Sequence, residues 1–477
     1  MTQIALTDLL KVINSWSYTG IQSNSKLIEE GNIFVAIDGT AVDGHKYIED
    51  AIKSGAIAVV GQKDVRGLSV PYFQVSDTRL AIGLLAANLY EYPSTKHTII
   101  AITGTNGKTT TAYLIRHILE YAGESCSLFG TVEHAINGKK IPAINTTPDA
   151  NLLQRLLSES NDRYVVMEAS SHGIVQHRLE GTKIDYGLFT NLSHDHLDYH
   201  GNFENYFQAK AQLFNKLKND GEAIIGSYTP WGLKLKKQLR AQRKIVSTFG
   251  ERDEDDLHLL SVDSSKRTSF QIREGFRKIE LNAPLPGIHN IWNTMQAYLV
   301  CRRIGLETPE IVEALRTFTG VPGRFEQFSF PRRAKFIVDY AHSPDAIAHS
   351  LTTSRHMTKG RLVHIFGFRG KRDRQKRATM VETSAQFSDE VILTLDDLNG
   401  EELEEMIKEM NSIISKVGQG KTKVILDRTE AIKYAWETTK FSDTVIITGK
   451  GPEKYKQRFL MPSNSDQETI SYLEHLN

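Results

Sequence analysis

Three α/β domains are expected from this chain, on three grounds. Its 477 residues exceed what one hydrophobic core ordinarily organises. Short apolar runs alternate with helical stretches over most of its length, the rhythm of parallel strands covered by helices. One of those runs, Thr98-Ile-Ile-Ala-Ile102, leads into Gly104-Thr-Asn-Gly-Lys-Thr-Thr110, a glycine-rich turn that opens a helix.

In residues 1–96 the strand candidates are Asn32–Ile37 and Ala56–Val60, with a helical stretch near Tyr47–Ser54 between them. The polar, proline-containing break Tyr92-Pro-Ser-Thr95 closes this part. Residues 97–324 hold the glycine-rich turn, a helix over Thr110–Tyr121 with Leu114, Ile118 and Leu119 on one face, and the strands Arg163–Glu168 and Ile184–Thr190. An irregular β-rich patch, Ser269–Leu281, precedes a helix starting near Asn290. After Val321-Pro-Gly-Arg324 the rhythm restarts. Strands Lys335–Asp339, Leu362–Phe366, Val391–Thr394, Lys423–Leu426 and Thr444–Thr448 alternate with helices, so residues 325–477 read as a Rossmann-like, doubly wound domain with its site at the strand C-terminal ends. It has no GxGxxG, so no dinucleotide is expected there.

Composition narrows the function. Basic and acidic residues nearly balance, 58 against 57, so no nucleic-acid partner is expected. Two cysteines, Cys126 and Cys301, exclude a disulfide scaffold or a cysteine-rich metal site. No apolar stretch approaches the roughly 20 residues of a membrane span, and the N-terminus lacks a signal-peptide pattern. A cytoplasmic, monomeric enzyme is the expectation.

The turn at Gly104, Thr105, Asn106, Gly107, Lys108, Thr109 and Thr110 suits nucleotide phosphates. Glycines let backbone N–H groups point inward, Lys108 supplies a point charge, and Thr109 offers a hydroxyl to Mg²⁺. The match to the generic loop is incomplete, since position 102 is isoleucine. Glu168 ends an apolar strand, where an ionised carboxylate needs a cation: a metal, or a basic side chain. Asp195-His-Leu-Asp-Tyr-His200 is rich in metal-capable groups, though such clusters are also ordinary hydrogen-bonded turns. By its residues alone Lys210, on an amphipathic helix, is a solvated charge, and Thr146-Thr147-Pro148 a loop entering a helix with threonine as cap.

Taken together, separated motifs carry a resemblance. They are Gly104–Thr110, Asn145-Thr-Thr-Pro148, Met167-Glu-Ala-Ser-Ser-His-Gly173, Gln176-His-Arg178, Asn191–His200, Tyr206-Phe-Gln-Ala-Lys210, Pro322-Gly-Arg-Phe-Glu326, Asp339-Tyr-Ala-His-Ser-Pro344 and Gly449-Lys-Gly-Pro-Glu453. In this order they resemble the Mur ligases, ATP-dependent amide-forming enzymes of peptidoglycan precursor synthesis, and among these the branch that adds the third amino acid to UDP-MurNAc-L-Ala-D-Glu. The resemblance implies an N-terminal UDP-binding domain, a central P-loop ATPase-like domain and a C-terminal Rossmann-like domain that receives the amino acid. It implies an acyl-phosphate intermediate, with Lys108 and the loop amides on the β- and γ-phosphates. It also implies two Mg²⁺ ions on Thr109, Glu168, His196 and a Lys210 carbamylated by CO₂. Ser25, Asn145, Thr146, Thr147, Ser170, Gln176 and Arg178 are implied for the sugar-peptide. Asn293, Arg324, Asp339 and His342 are implied for the nucleotide, with Arg372 on the amino acid's α-carboxylate and Glu453 on its distal amine. The shortened loop spacing is also what this family shows.

The pattern breaks where the amino acid is chosen. Relatives that use meso-diaminopimelate carry Asp-Asn-Pro-Arg, whose arginine grips the distal carboxylate; here the stretch reads Asp396-Asp397-Leu398-Asn399. Position 452 is proline where the family has histidine, and Asn24 and Lys26 stand for Asp and Arg. A pocket without that arginine, carrying Asp396, Asp397 and Glu453, favours a side chain ending in a cation, so L-lysine or ornithine is expected over diaminopimelate. A paralogue serving another carboxylate substrate, a folate polyglutamate ligase relative and a non-catalytic UDP-sugar-binding regulator are the competing readings. Lys108-Thr-Thr and Asn145–Pro148 oppose the folate reading, and intact Lys108, Glu168, His196 and Lys210 oppose the regulator.

Overall fold

The computed structural model describes residues 3–39, 42–263 and 268–476. Three sheets, one per domain, organise them. In the N-terminal domain β1 (Gly20–Gln22), β2 (Asn32–Ala36), β3 (Ala58–Gly61) and β4 (Tyr72–Gln74) pair in parallel in that order. The helix Thr78–Leu89 packs on this sheet, its first N–H groups satisfied by Asp77, which accepts from Arg79 N and Leu80 N.

The central sheet has eleven strands. They are β5 (Thr98–Thr103), β6 (Cys126–Phe129), β7 (Glu133–Ile136), β8 (Lys139–Pro142), β9 (Tyr164–Glu168), β10 (Ile184–Phe189), β11 (Leu217–Gly226), β12 (Ile245–Gly250), β13 (Leu257–Val262), β14 (Ser269–Glu274) and β15 (Arg277–Asn282). Their order is β15-β14-β13-β12-β11-β10-β5-β9-β6-β7-β8. From β13 to β6 the strands run parallel, while β14–β15 and β7–β8 extend the edges antiparallel. The patch at Ser269–Leu281 is therefore an antiparallel edge extension. Ile99–Ile102 on β5 are wholly buried, because a central parallel strand is covered on both faces. The helix Lys108–Tyr121 covers one face and itself packs against Ile288–Ile304, buried continuously from Asn290 to Cys301. No side chain caps Lys108–Tyr121, since its N-cap is Gly107. Its first N–H groups are left for another acceptor.

In the C-terminal domain β16 (Glu326–Phe328), β17 (Lys335–Val338), β18 (Leu362–Phe368), β19 (Glu390–Leu395), β20 (Thr422–Val424) and β21 (Thr444–Ile447) take the order β16-β17-β21-β18-β19-β20, parallel except for β16. Alternate strand residues feed two cores. Ile337, Phe366, Val391 and Ile446 meet the helices Pro344–Met357, Gln375–Phe387 and Leu403–Val417 on one face. Phe336, Ile365, Ile392 and Val445 meet Arg428–Thr438 and Asp466–His475 on the other, the expected double winding. Among the described residues, no helix is long and apolar enough to cross a membrane.

Candidate active site

Strand ends and the loops after them converge on a cavity of about 720 Å³ between the central and C-terminal domains. The phosphate-type loop lies at its floor. Gly107 has φ +85°, and a Cβ there would stand 2.3 Å from Asn293 Oδ1, so only glycine fits between the loop and the helix Ile288–Ile304. Lys108 Nζ donates to Gly104 O and Thr105 O, both at 2.9 Å. Burial lowers its pKa, opposed by the charge of Glu168.

Glu168, 1% exposed at the end of β9, gathers hydroxyls instead of a basic side chain. Thr109 Oγ1 and Thr131 Oγ1 each donate to Oε2 at 3.0 Å, and Thr131 N donates to Oε1 at 2.8 Å. Arg324 Nη2 donates to Thr109 Oγ1 at 3.0 Å, and its guanidinium lies 4.2 Å from the Tyr340 ring centroid. Thr109 and Glu168 thus present two hard oxygens side by side. Among the described residues no three His, Cys, Asp or Glu side chains come together as a metal cage.

Beyond Glu168 the cavity runs to Asn145, Thr146, Ser170, Gln176 and Arg178. Thr147 is buried behind them; its hydroxyl donates to Glu168 O at 2.9 Å and accepts from Ser170 N at 3.0 Å. Arg178 donates to Thr147 O and Gln176 Oε1, both at 2.8 Å, which fixes its guanidinium at the wall. Ser25, in the short turn Ser25–Leu27 of the N-terminal domain, does not line the cavity.

His196 lines the cavity in a left-handed conformation, φ +55°, with Nε2 3.5 Å from Asp195 Oδ2. Burial pushes its pKa down to about 3, leaving a neutral imidazole at ordinary pH. Lys210 is not solvated. It is 1% exposed, donates to Gly104 O at 2.8 Å and sits 4.3 Å from the Tyr206 ring centroid, with no carboxylate among the described residues hydrogen-bonded to it. Burial, then the charge of Lys108, holds its pKa well below the usual lysine value.

The remaining walls come from the helix Ile288–Ile304 and the turn after β11 in the central domain, and from the C-terminal side. Asn293, Arg324, Asp339 and His342 all line the cavity. Asn293 is buried, accepting from Thr111 Oγ1 and donating to Asn290 Oδ1. Asp339 accepts from Phe325 N, Tyr340 N and Ser350 Oγ. His342 Nδ1 meets Tyr340 O at 2.8 Å. Tyr228 stacks on Trp292 at 4.3 Å between ring centroids, an apolar wall beside Leu285 and Phe325. Arg372 also lines the cavity, exposed and without a hydrogen-bond partner among the described residues.

The charge argument for lysine or ornithine does not survive this geometry. Asp396 and Asp397 are buried on Lys450, which donates to them at 3.3 and 2.8 Å, and Lys456 Nζ lies 3.7 Å from Asp397. Glu453 accepts from Arg369 and from Tyr340 OH. Each carboxylate already has its cation, so this corner carries no surplus anion awaiting a substrate ammonium. Asn399, where relatives have arginine, donates to Gly370 O and Asp397 O. Asp397 and Glu453 do not line the cavity, whereas Asp396 does.

Sequence reading missed Thr131 and Lys376, and marked Asp195 only as one member of a metal-capable segment. Thr131 stands in a tight turn with no motif. Lys376 lay within a basic run whose members have no distinguishing spacing.

Comparison with known proteins gives the family. Residues 17–90 match the Mur ligase family catalytic domain, 102–301 the Mur ligase middle domain and 323–451 the Mur ligase glutamate ligase domain. A UDP-N-acetylmuramoyl-L-alanyl-D-glutamate–2,6-diaminopimelate ligase of Fusobacterium nucleatum subsp. nucleatum is 36% identical over 453 residues, covering 94% of this chain and 92% of its own. The like-named protein of Parabacteroides distasonis is 36% identical over 446 residues, 92% of this chain and 90% of its own. A solved structure of a ligase of that name superposes with a TM-score of 0.68 at 29% identity, covering 97% of this chain and 96% of that one. The MurF ligase of Thermotoga maritima, solved with ADP, shares the fold at a TM-score of 0.66 and 20% identity, over 90% and 93% of the two chains. With three consecutive domain matches and relatives along nearly its whole length, the chain belongs to the Mur ligase family and is an ATP-dependent, ADP-forming ligase.

Proposed function

We propose that this chain joins an amino acid, through its amino group, to the free carboxylate of UDP-MurNAc-L-Ala-D-Glu in the cytoplasm, at the third-residue step of peptidoglycan precursor synthesis. The observation that carries this reading is the cavity itself. Lys108, Thr109 and Glu168 stand at one end, Gln176 and Arg178 at another, and Arg372 on the opposing domain. A nucleotide phosphate, an anionic acceptor and an amino acid therefore share one cavity. We assign residues 1–96 to the uridine end, through Ser25, residues 97–324 to ATP and the acceptor peptide, and residues 325–477 to the amino acid.

In this reading Lys108 and the N–H groups of Gly104–Thr110 hold the β- and γ-phosphates, and Asn293, Arg324, Asp339 and His342 enclose the nucleoside end. Arg178, with Asn145, Thr146, Thr147, Ser170 and Gln176, holds the acceptor so that its carboxylate oxygen faces the γ-phosphorus. That oxygen takes the phosphoryl group as ADP leaves. The amine, aligned by Arg372, then attacks the acyl carbon, and inorganic phosphate departs with formation of the amide.

Mg²⁺ fits Thr109 and Glu168, which offer the oxygen ligands it prefers. Neutral His196 suits a second ion; Lys210 suits it only as a carbamate, since an amine or ammonium at Gly104 O supplies no anionic oxygen. When bound, Mg²⁺ relieves the repulsion between phosphate and carboxylate.

For the amino acid we propose 2,6-diaminopimelate. It is the substrate in the relatives' names, and its distal end, one ammonium and one carboxylate, suits a corner whose own charges are paired.

Phosphate release from ATP, measured with the UDP-dipeptide and a panel of amino acids, tests both parts. Turnover is expected to require both substrates and to be fastest with diaminopimelate. No amino-acid-dependent release with any member of the panel would end the ligase assignment, and a preference for lysine would end only that for diaminopimelate.

A further inference from the structure

The two joints between domains differ in kind. At the first, Ala150 of the central domain belongs to the same apolar cluster as Leu85 and Ala86 of the N-terminal domain. At the second, among the described residues, the buried apolar clusters of the central and C-terminal domains stay separate. Among the described residues, the second joint is crossed by polar pairs, Asn106 Nδ2 to Asp345 at 3.3 Å, His194 to Asp373 at 3.2 Å, and Asp195 to Lys376 and His342, and by the rings of His289 and His349 at 5.5 Å between centroids. A joint without a shared apolar cluster has its orientation set largely by the directional contacts across it.

The pair Lys376–Asp195 is the most enclosed of these. Lys376 Nζ donates to Asp195 Oδ1 at 3.0 Å, with the side chains 11% and 8% exposed. Each partner adjoins the chemistry of the proposed ligase reaction, on which this inference rests. Asp195 immediately precedes His196, and Lys376 opens the helix Gln375–Phe387, whose preceding turn carries Arg372. We propose that Lys376 is a positioning residue: its ion pair with Asp195 seats the C-terminal domain over the phosphate loop and fixes where Arg372 presents the amino acid. Without it, Asp195 is left among the described residues with the imidazoles of His342 and His196, each at 3.5 Å, and loses the ammonium that ties it to the C-terminal domain.

Lys376 also lines the cavity, so direct contact with a substrate phosphate is the rival to exclude. Kinetics and small-angle scattering of K376Q, K376R, D195N and the K376Q/D195N double variant decide between them. Scattering would be recorded with a non-hydrolysable ATP analogue and the UDP-dipeptide. The seat predicts a kcat lowered about tenfold or more in K376Q, most of it restored in K376R, and a double variant no slower than D195N alone. It also predicts that wild type contracts with the ligands and K376Q does not. Losses that multiply in the double variant, ligand-induced contraction of K376Q equal to wild type, or K376R no better than K376Q would each overturn the proposal. A wild type without amino-acid-dependent turnover would instead remove the ligase reading, and the scattering would still report on the pair.

Discussion

Folding has driven Lys210 into a place where an ammonium is disfavoured. Its amine is enclosed, it shares the Gly104 carbonyl with Lys108, and the like charge of Lys108 outweighs the opposite charge of Asp195. When deprotonated, such an amine is a nucleophile for CO₂, and the carbamate we propose would add anionic oxygens beside the carboxylate of Glu168. Lys210→Ala is accordingly expected to lose about a hundredfold or more of kcat, and added acetate to return part of it. Unimpaired activity of the variant would refute the modification. None of this was legible from position 210 alone, where an amphipathic helix suggests a solvated charge. The family motif pointed to the residue, and burial supplies the reason. Thr131 shows the opposite case. It donates twice to Glu168 from a turn that no pattern marks, because the partners meet only when β6 and β9 lie side by side.

At the scale of elements, what could be read depended on burial. Parallel strands such as β5, β9, β18 and β21 are apolar on both faces and stood out as continuous runs, whereas the three-residue strands β1 and β4 give no such signal. Residues 369–377 form a basic run in the sequence, yet its members part company in space. Arg369 meets Glu453, Lys376 meets Asp195, and Arg377 is buried in a separate network. Arg377 Nη1 and Nη2 grip the two oxygens of Glu401 at 3.0 and 2.9 Å, and Arg377 also donates to Glu409 at 2.6 Å and Arg369 O at 3.1 Å. Arg377's hydrogen bonds hold the Glu401 pKa at about 2, and Lys371 N donates to that carboxylate too, which fastens the turn carrying Arg372. Replacing Arg377 by Met leaves Glu401 buried without its main cation and is expected to cost about 3–5 kcal/mol. Chemical denaturation is the measurement. The surface pair Lys234–Glu204 is the control, and Lys234→Ala should leave the midpoint unchanged. Equal midpoints for the two variants would show that the Arg377 network contributes nothing special.

For the whole molecule, the unlike joints imply unlike duties. The apolar N-terminal joint is built for permanence. Helix Thr78–Leu89 lies against helix Ala150–Glu159, Asn151 Nδ2 donates to Ile21 O at 2.8 Å, and Gly181, at φ +75°, admits the methyl of Ala87 so closely that a Cβ would stand 2.2 Å away. Gly181 closes the loop that begins with Gln176 and Arg178, so the surface that receives the N-terminal domain is continuous with the wall proposed for the acceptor peptide. In the proposed reaction a fixed N-terminal domain would hold one end of a long substrate at a set distance from the phosphate loop, while the polar C-terminal joint would open for ATP and the amino acid. Gly181→Ala separates these duties. The new methyl meets Ala87 in a backbone conformation that L residues rarely adopt, a strain of about 1–3 kcal/mol. The N-terminal domain must shift, whereas the ATP end, which Gly181 does not touch, stays as it was. The expected outcome is a lowered Tm and a raised KM for the UDP-substrate, with the KM for ATP unchanged. A rise in both constants together would mean that the two joints move as one.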